Sequence, residues 1–268
     1  MNPKNLYHYT KTDTAIRKIL HKKTFRMNNL GNMNDPKENL RHITDIEENV
    51  LNDLNQIGFS IDDWGMAKYI ADETKILSFS IDSEITFENH KYQNKGYKLQ
   101  RMWSQYGESN QGICIEVDFE KFIKENLKTM KEFDIQHDKV EYNMFQYQGL
   151  PRILVGMAVE HLASHHPLST YQLWEKYQKN TEFVQERFFT KNMDWAGEAE
   201  YRFLTFSKSD PEIDLSFVNS ISQVILGMNF SRYFLPSIFK LIPQNKISML
   251  QLGVDGNLET IPLAFYNI

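Results

Sequence analysis

The stretch KNMDWAGEAEYRF, Lys191 to Phe203, places Glu198, Glu200 and Arg202 at strict two-residue spacing, between a tryptophan and an apolar run. In a β-strand alternate residues share a face, and i, i+2 neighbours lie roughly 6–7 Å apart. Read as a strand over 199–206, the pattern puts two carboxylates and a guanidinium on one face. Ala199, Tyr201 and Phe203 then lie on the other. Such a polar row is either a solvated sheet face, with Glu200 and Arg202 as a surface ion pair, or the floor of a site.

Two earlier segments carry the same kind of alternation. LYHYT (6–10) sets His8 and Thr10 on one face and Tyr7 and Tyr9 on the other. KILSFSI (75–81) projects Ser78 and Ser80 at two-residue spacing. A hydroxyl on a buried strand costs desolvation unless something polar faces it. Three strands with polar alternates amid apolar residues predict one cleft shared between them.

Outward from these strands, KTDTAIRKILHKKTF reads as a helix capped by Thr12 or Asp13. The Asn-, Gly- and Pro-rich 26–39 reads as a structured loop, and helical periodicity marks 40–56 and 62–73. Residues 82–96 are polar and loop-like. A helix is expected near 97–106, the strand GICIEVD to residue 118, a helix from Phe119 and a strand over 138–143. The carboxyl third predicts helices near 214–221 and 230–240 and the strand SQVILGM. ISMLQLGVD and LETIPL pair as a hairpin across DGN. The sum is one α+β domain spanning 1–268, with a helical insertion at about 148–190.

The 268 residues are 41% hydrophobic and 24% charged, ordinary for a globular protein large enough to bury a sizeable core. A net charge of −5 gives no global basic field for duplex nucleic acid, which also counts against a nuclease built on Glu198, Glu200 and Asp35. The single cysteine, Cys114, excludes an internal disulfide and any multi-cysteine zinc site. With no apolar run of ~18 residues and no signal-peptide core, the expected location is cytoplasmic.

Other constellations carry less chemistry. NDPKE (34–38) offers Asn34, Asp35 and Glu38, but Asp-Pro is first a turn signal. MWSQYG puts Trp103 and Tyr106 on one helical face, for packing or for stacking on a ligand. His161 and His165 have zinc-competent i, i+4 spacing without the HExxH arrangement or a third ligand, so no metal is expected. No phosphate-cradling glycine loop and no nucleophile elbow is present.

Taken in order, LYHYT, NDPKE, LSFS, MWSQYGESNQGICIEVD and WAGEAEYRF followed by ILGMNFS resemble a widespread bacterial family of unknown function. That family's pattern is itself similar to the ADP-ribosyltransferase superfamily. The resemblance implies a split, mostly antiparallel sheet and NAD⁺ as substrate. His8, with Tyr9 and Thr10 on its strand, would hold the adenosine-side ribose; Ser78 or Ser80 would buttress the nicotinamide end. Glu200 or Glu198 would accept from the nicotinamide-ribose 2′-hydroxyl, and Tyr9, Trp103 or Tyr106 would stack on the ring. Arg202 would hold a carboxylate ionised or bind a phosphate. The acceptor would be a protein, a nucleic acid, a small molecule or water, with the insertion at 148–190 setting the choice. A role in anti-phage defence or self-intoxication is implied by the resemblance alone. The alternative is a binding module, the sensing or regulatory half of a conflict system, without catalysis.

Overall fold

The computed structural model describes residues 2–33, 65–87, 90–144, 170–209 and 211–263. The first part supplies β1 (Asn5–Thr10), a helical turn α1 (Thr12–Thr14) continuing as a π-helix over Ala15–Leu20, β2 (Thr24–Arg26) and β3 (Asn28–Asn29). Then come α2 (Gly65–Glu73), β4 (Thr74–Ile81), β5 (Ser83–Phe87), β6 (His90–Asn94) and α3 (Gln100–Gln105). β7 (Ile113–Asp118), α4 (Phe119–Glu132), β8 (Gln136–Lys139) and β9 (Glu141–Asn143) follow. After these lie α5 (Thr170–Tyr177), α6 (Thr181–Phe188), β10 (Thr190–Asn192) and β11 (Glu200–Phe206). The chain continues through β12 (Asp214–Ser216), β13 (Ile221–Leu226), α7 (Leu235–Leu241), β14 (Ile247–Leu252) and β15 (Leu258–Pro262).

The architecture is α+β, with a mixed, mostly antiparallel sheet. The main sheet runs β15-β14-β13-β7-β1-β4-β11-β8 without a break, and β3 adds to β4. Among the described residues, only β13 and β14 are parallel within it. The β5–β6, β2–β12 and β9–β10 pairs stand apart as two-stranded sheets. The three strands with polar alternates, β1, β4 and β11, are therefore immediate neighbours.

Register decides which side chains share a face. Tyr7 pairs with Ser80, and Ser80 with Glu200, so Tyr7, Ser80 and Glu200 form one row on one face. Leu6, Leu77, Phe79, Tyr201 and Phe203 point the other way, into the main core with Ile113, Ile115 and Phe122. α4 closes that core. Asp118 caps its first turn by accepting from the Lys121 N–H at 2.9 Å, and Phe119, Phe122, Asn126 and Met130 line its buried face. The opposite face is covered in two places. Tyr7 and Tyr9 meet Trp103 of α3, and at the far end Ile76 and Leu204 meet Trp174, Phe183 and Phe188 of α5 and α6.

Several local expectations give way. Within 82–96, β5 and β6 pair antiparallel instead of forming loop, because two short strands satisfy each other's backbone groups away from the main sheet. Residues 214–216 are a strand, held against β2 with Leu215 opposite Phe25, instead of the start of a helix. The residue preceding α1 is Lys11, with no side-chain cap; the Thr12 hydroxyl donates instead to the Gln111 carbonyl at 2.8 Å. The 14–15 hairpin and the helices near 65–73, 119–132 and 235–241 agree with the sequence reading. NDPKE, the 40–56 periodicity, His161, His165 and most of the 148–190 stretch lie outside the described residues.

Candidate functional site

The polar row of the opening stretch is real in space but built differently from a plain strand. Residues Met193–Glu198 form a 3-10 turn, and β11 begins only at Glu200. Between them Ala199 is left-handed, at φ 45°, a conformation that costs an L-residue roughly 1–2 kcal/mol. That single reversal lets Glu198 and Glu200 reach one cluster from two elements.

At its centre is Lys191 on β10, the first residue of the quoted stretch. Its Nζ lies 3.0 Å from Glu198 Oε2 and 2.8 Å from Glu200 Oε2. Arg202 grips Glu200 with two parallel bonds, Nε to Oε1 at 2.8 Å and Nη2 to Oε2 at 3.0 Å, and donates through Nη1 to the Phe188 carbonyl. The Tyr106 hydroxyl donates to Glu198 Oε1 at 2.9 Å. The Glu200 N–H donates to the Tyr142 hydroxyl at 2.8 Å, and Tyr142 sits opposite Lys191 in the β9–β10 pair. Lys191, Glu198, Glu200 and Arg202 are all at most 5% exposed. Two carboxylates and two cations thus neutralise one another out of water, which such charges tolerate only when paired and hydrogen-bonded.

Burial alone would push the Glu200 carboxyl up. The Arg202 guanidinium and then the Lys191 ammonium, with their hydrogen bonds, outweigh it and hold Glu200 well below the usual carboxylate range. Beside Glu200, the Ser80 hydroxyl is buried at 1% exposure and has no hydrogen-bond partner among the described residues. Over the cluster lies Trp195, with Lys191 Nζ at 5.3 Å and the Arg101 guanidinium at 4.9 Å from its ring centroid.

The expected residues divide between two faces. Glu198, Glu200, Arg202, Ser80 and Tyr106 come together, and Ser78 pairs with Arg202 on the same face. Tyr9 and Trp103 share that face but pack edge to face at 5.1 Å, the Tyr9 hydroxyl donating to Gly96 O and the indole N–H to Tyr97 O. With both rings buried and both polar tips engaged, they hold α3 on the sheet. The convergence of His8 with the glutamates does not occur. His8, and Thr10 two residues on, belong to the opposite face. The His8 ring packs on Phe25 at 4.8 Å and Phe79 at 5.7 Å, with Nδ1 3.3 Å from the Ser78 carbonyl oxygen. Burial pushes its pKa down to about 4, against the contact with Ser78. Arg202, 1% exposed and donating from each of its three nitrogens, holds the Glu200 carboxylate ionised.

Lys191 and Tyr142 escape sequence reasoning because no period links them to β11; the chain turns between them. The one available signal for Lys191 was its adjacency to Trp195, a ring that a nearby ammonium favours.

The comparisons fall on this half of the site. Residues 102–203 match a family described as a protein of unknown function, DUF2971. The DUF2971 match takes in Tyr106, Tyr142, Lys191, Glu198, Glu200 and Arg202, and leaves out β1 and β4 with His8 and Ser80. No curated protein and no solved structure matches the chain. No group of three or more metal-ligating side chains occurs among the described residues, and no helix there is long and apolar enough to cross a membrane.

Proposed function

We propose that the protein is an NAD⁺-consuming enzyme of ADP-ribosyltransferase or NAD glycohydrolase type, with its carboxylates on the Glu198–Glu200 face and without His8. The observation that carries this reading is the pair of buried glutamates fixed by Lys191, next to a serine hydroxyl that has no hydrogen-bond partner among the described residues. Breaking the N-glycosidic bond sends the electron pair to nicotinamide and leaves positive charge on the ribose. A carboxylate already fixed and desolvated stabilises that charge more than it stabilises the ground state. Glu200 is clamped on both oxygens by Arg202, so its task is to hold Lys191 and the turn in place. Glu198, held by a phenol and half of one ammonium, is the carboxylate with acceptor capacity left for a ribose hydroxyl. The Ser80 hydroxyl supplies a further polar contact, and water or an acceptor nucleophile completes the transfer.

Incubation with NAD⁺ should release free nicotinamide. Glu198→Gln should lower that rate by roughly two orders of magnitude, the scale of one lost transition-state contact. It should also lower stability, because it leaves the buried Lys191 and Arg202 with a single carboxylate between them, so the rates are compared at a temperature where both proteins are fully folded. Wild-type protein that releases none sinks the enzymatic reading. A second reading, a binding module without turnover, is favoured by one specific fact: every carboxylate oxygen of both glutamates already has a protein partner. It expects saturable ligand binding and an unchanged nicotinamide pool.

A further inference from the structure

We infer that Arg101, stacked on Trp195 beside the Lys191–Glu198–Glu200 cluster, is the anion anchor of this site, so that the ligand it selects carries a phosphate. The inference rests on the proposed NAD⁺ reading for the ligand's identity, but its charge argument stands on the cluster itself. The four buried charges cancel, and each of the three guanidinium nitrogens of Arg202 already donates to a buried protein oxygen. A phosphorylated ligand therefore needs a cation outside the quartet.

Arg101 meets that need in three respects. First, it forms no ion pair with any carboxylate among the described residues; its hydrogen bonds there are to neutral groups, Nε to Gln105 Oε1 at 3.1 Å and Nη1 to the Asp194 carbonyl. Among the described residues its Nη2 makes no hydrogen bond, and a guanidinium with spare donors suits the planar, two-point recognition of phosphate. Second, it is held before any ligand arrives, by the Trp195 ring and by the Asp194 carbonyl, so little side-chain entropy remains to be lost. Third, its position is tied to the reacting carboxylate. α3 carries Arg101 and ends at Tyr106, the donor to Glu198, while residues 194 and 195 precede Glu198 in the same turn. A phosphate on Arg101 would thus sit at the mouth of a site whose interior is neutral and suited to a sugar.

Titration calorimetry with inorganic pyrophosphate tests the anchor without invoking NAD⁺. Wild type should bind saturably, and Arg101→Gln should weaken binding about tenfold or more with an unchanged melting temperature, since the side chain is not part of the core. No binding by wild type, or equal binding by the variant, overturns the inference. Nicotinamide mononucleotide and nicotinamide riboside then separate the two proposals. A wild-type preference for the phosphorylated compound that vanishes in Arg101→Gln supports both. Pyrophosphate binding lost in the variant, with neither nicotinamide compound bound, keeps the anchor and removes the NAD⁺ reading. Equal affinity of wild type for both nicotinamide compounds keeps the reading and removes the anchor.

Discussion

Arg202 shows how much one side chain can hold. It is 1% exposed and makes two bonds to Glu200 and one to a backbone carbonyl. Arg202→Met removes the largest opposing charge from a buried carboxylate and should cost about 3–5 kcal/mol in a urea titration. A cost below roughly 1 kcal/mol would mean that solvent reaches these charges after all. The same clamp has a pH signature. Glu200's folded pKa lies below its unfolded value, so its contribution is complete above the ordinary carboxylate value of ~4.3 and is lost as pH falls from there toward the depressed folded value. Arg202→Met should flatten that acid limb. Much of this was legible: the Glu-x-Glu-x-Arg spacing pointed to a row of charges, and the row exists. What spacing could not show was Ala199's left-handed turn, which takes Glu198 off the strand, or Lys191, which supplies the shared cation.

At the scale of elements, the lesson is register. Alternation within LYHYT correctly separates His8 and Thr10 from Tyr7 and Tyr9, but it cannot say which set meets Ser80. A shift of one residue in pairing exchanges the faces, and that choice is made by packing across the sheet. Here the aromatic core around Phe25, Phe79 and Phe122 takes His8, and α3 takes the tyrosines. The segment before α3 sits so close to β1 that a Cβ at Gly96 would lie 2.2 Å from the Tyr7 ring and 3.0 Å from the Ile81 carbonyl carbon. Gly96→Ala must therefore lift this segment, disturbing the Tyr9–Gly96 bond at 2.6 Å and the 2.9 Å bond from the Gly96 N–H to Asp82. A loss of about 1–3 kcal/mol is expected, as for other overpacked contacts. Because α3 carries both Arg101 and Tyr106, ligand affinity should fall with it. Unchanged stability and affinity would show that α3 is positioned by Trp103 alone.

For the whole molecule, the sheet is a wall between two chemistries, and His8 lies on the face opposite Ser80 and Glu200. His8's folded pKa of about 4 lies below an unfolded value near ~6.5, so the unfolded chain binds the extra proton between them. Unfolding free energy should consequently be full above pH ~6.5 and decline as pH falls to about 4, by at most about 1.4 kcal/mol per pH unit from this group. His137, lowered by burial on β8, adds to the same trend, so His8→Phe should remove a part of the slope and not all of it. Phenylalanine keeps an aromatic ring against Phe25 and Phe79, which makes the variant suitable for denaturation at pH 7, 6 and 5. The same variant separates the faces functionally. If the reacting groups are Glu198 and its neighbours, His8→Phe should release nicotinamide within about twofold of wild type, as expected for a residue sharing no partner with the site. A collapse of turnover at intact stability would put the ligand on the aromatic side of the sheet, and would return the imidazole to the role the resemblance gives it.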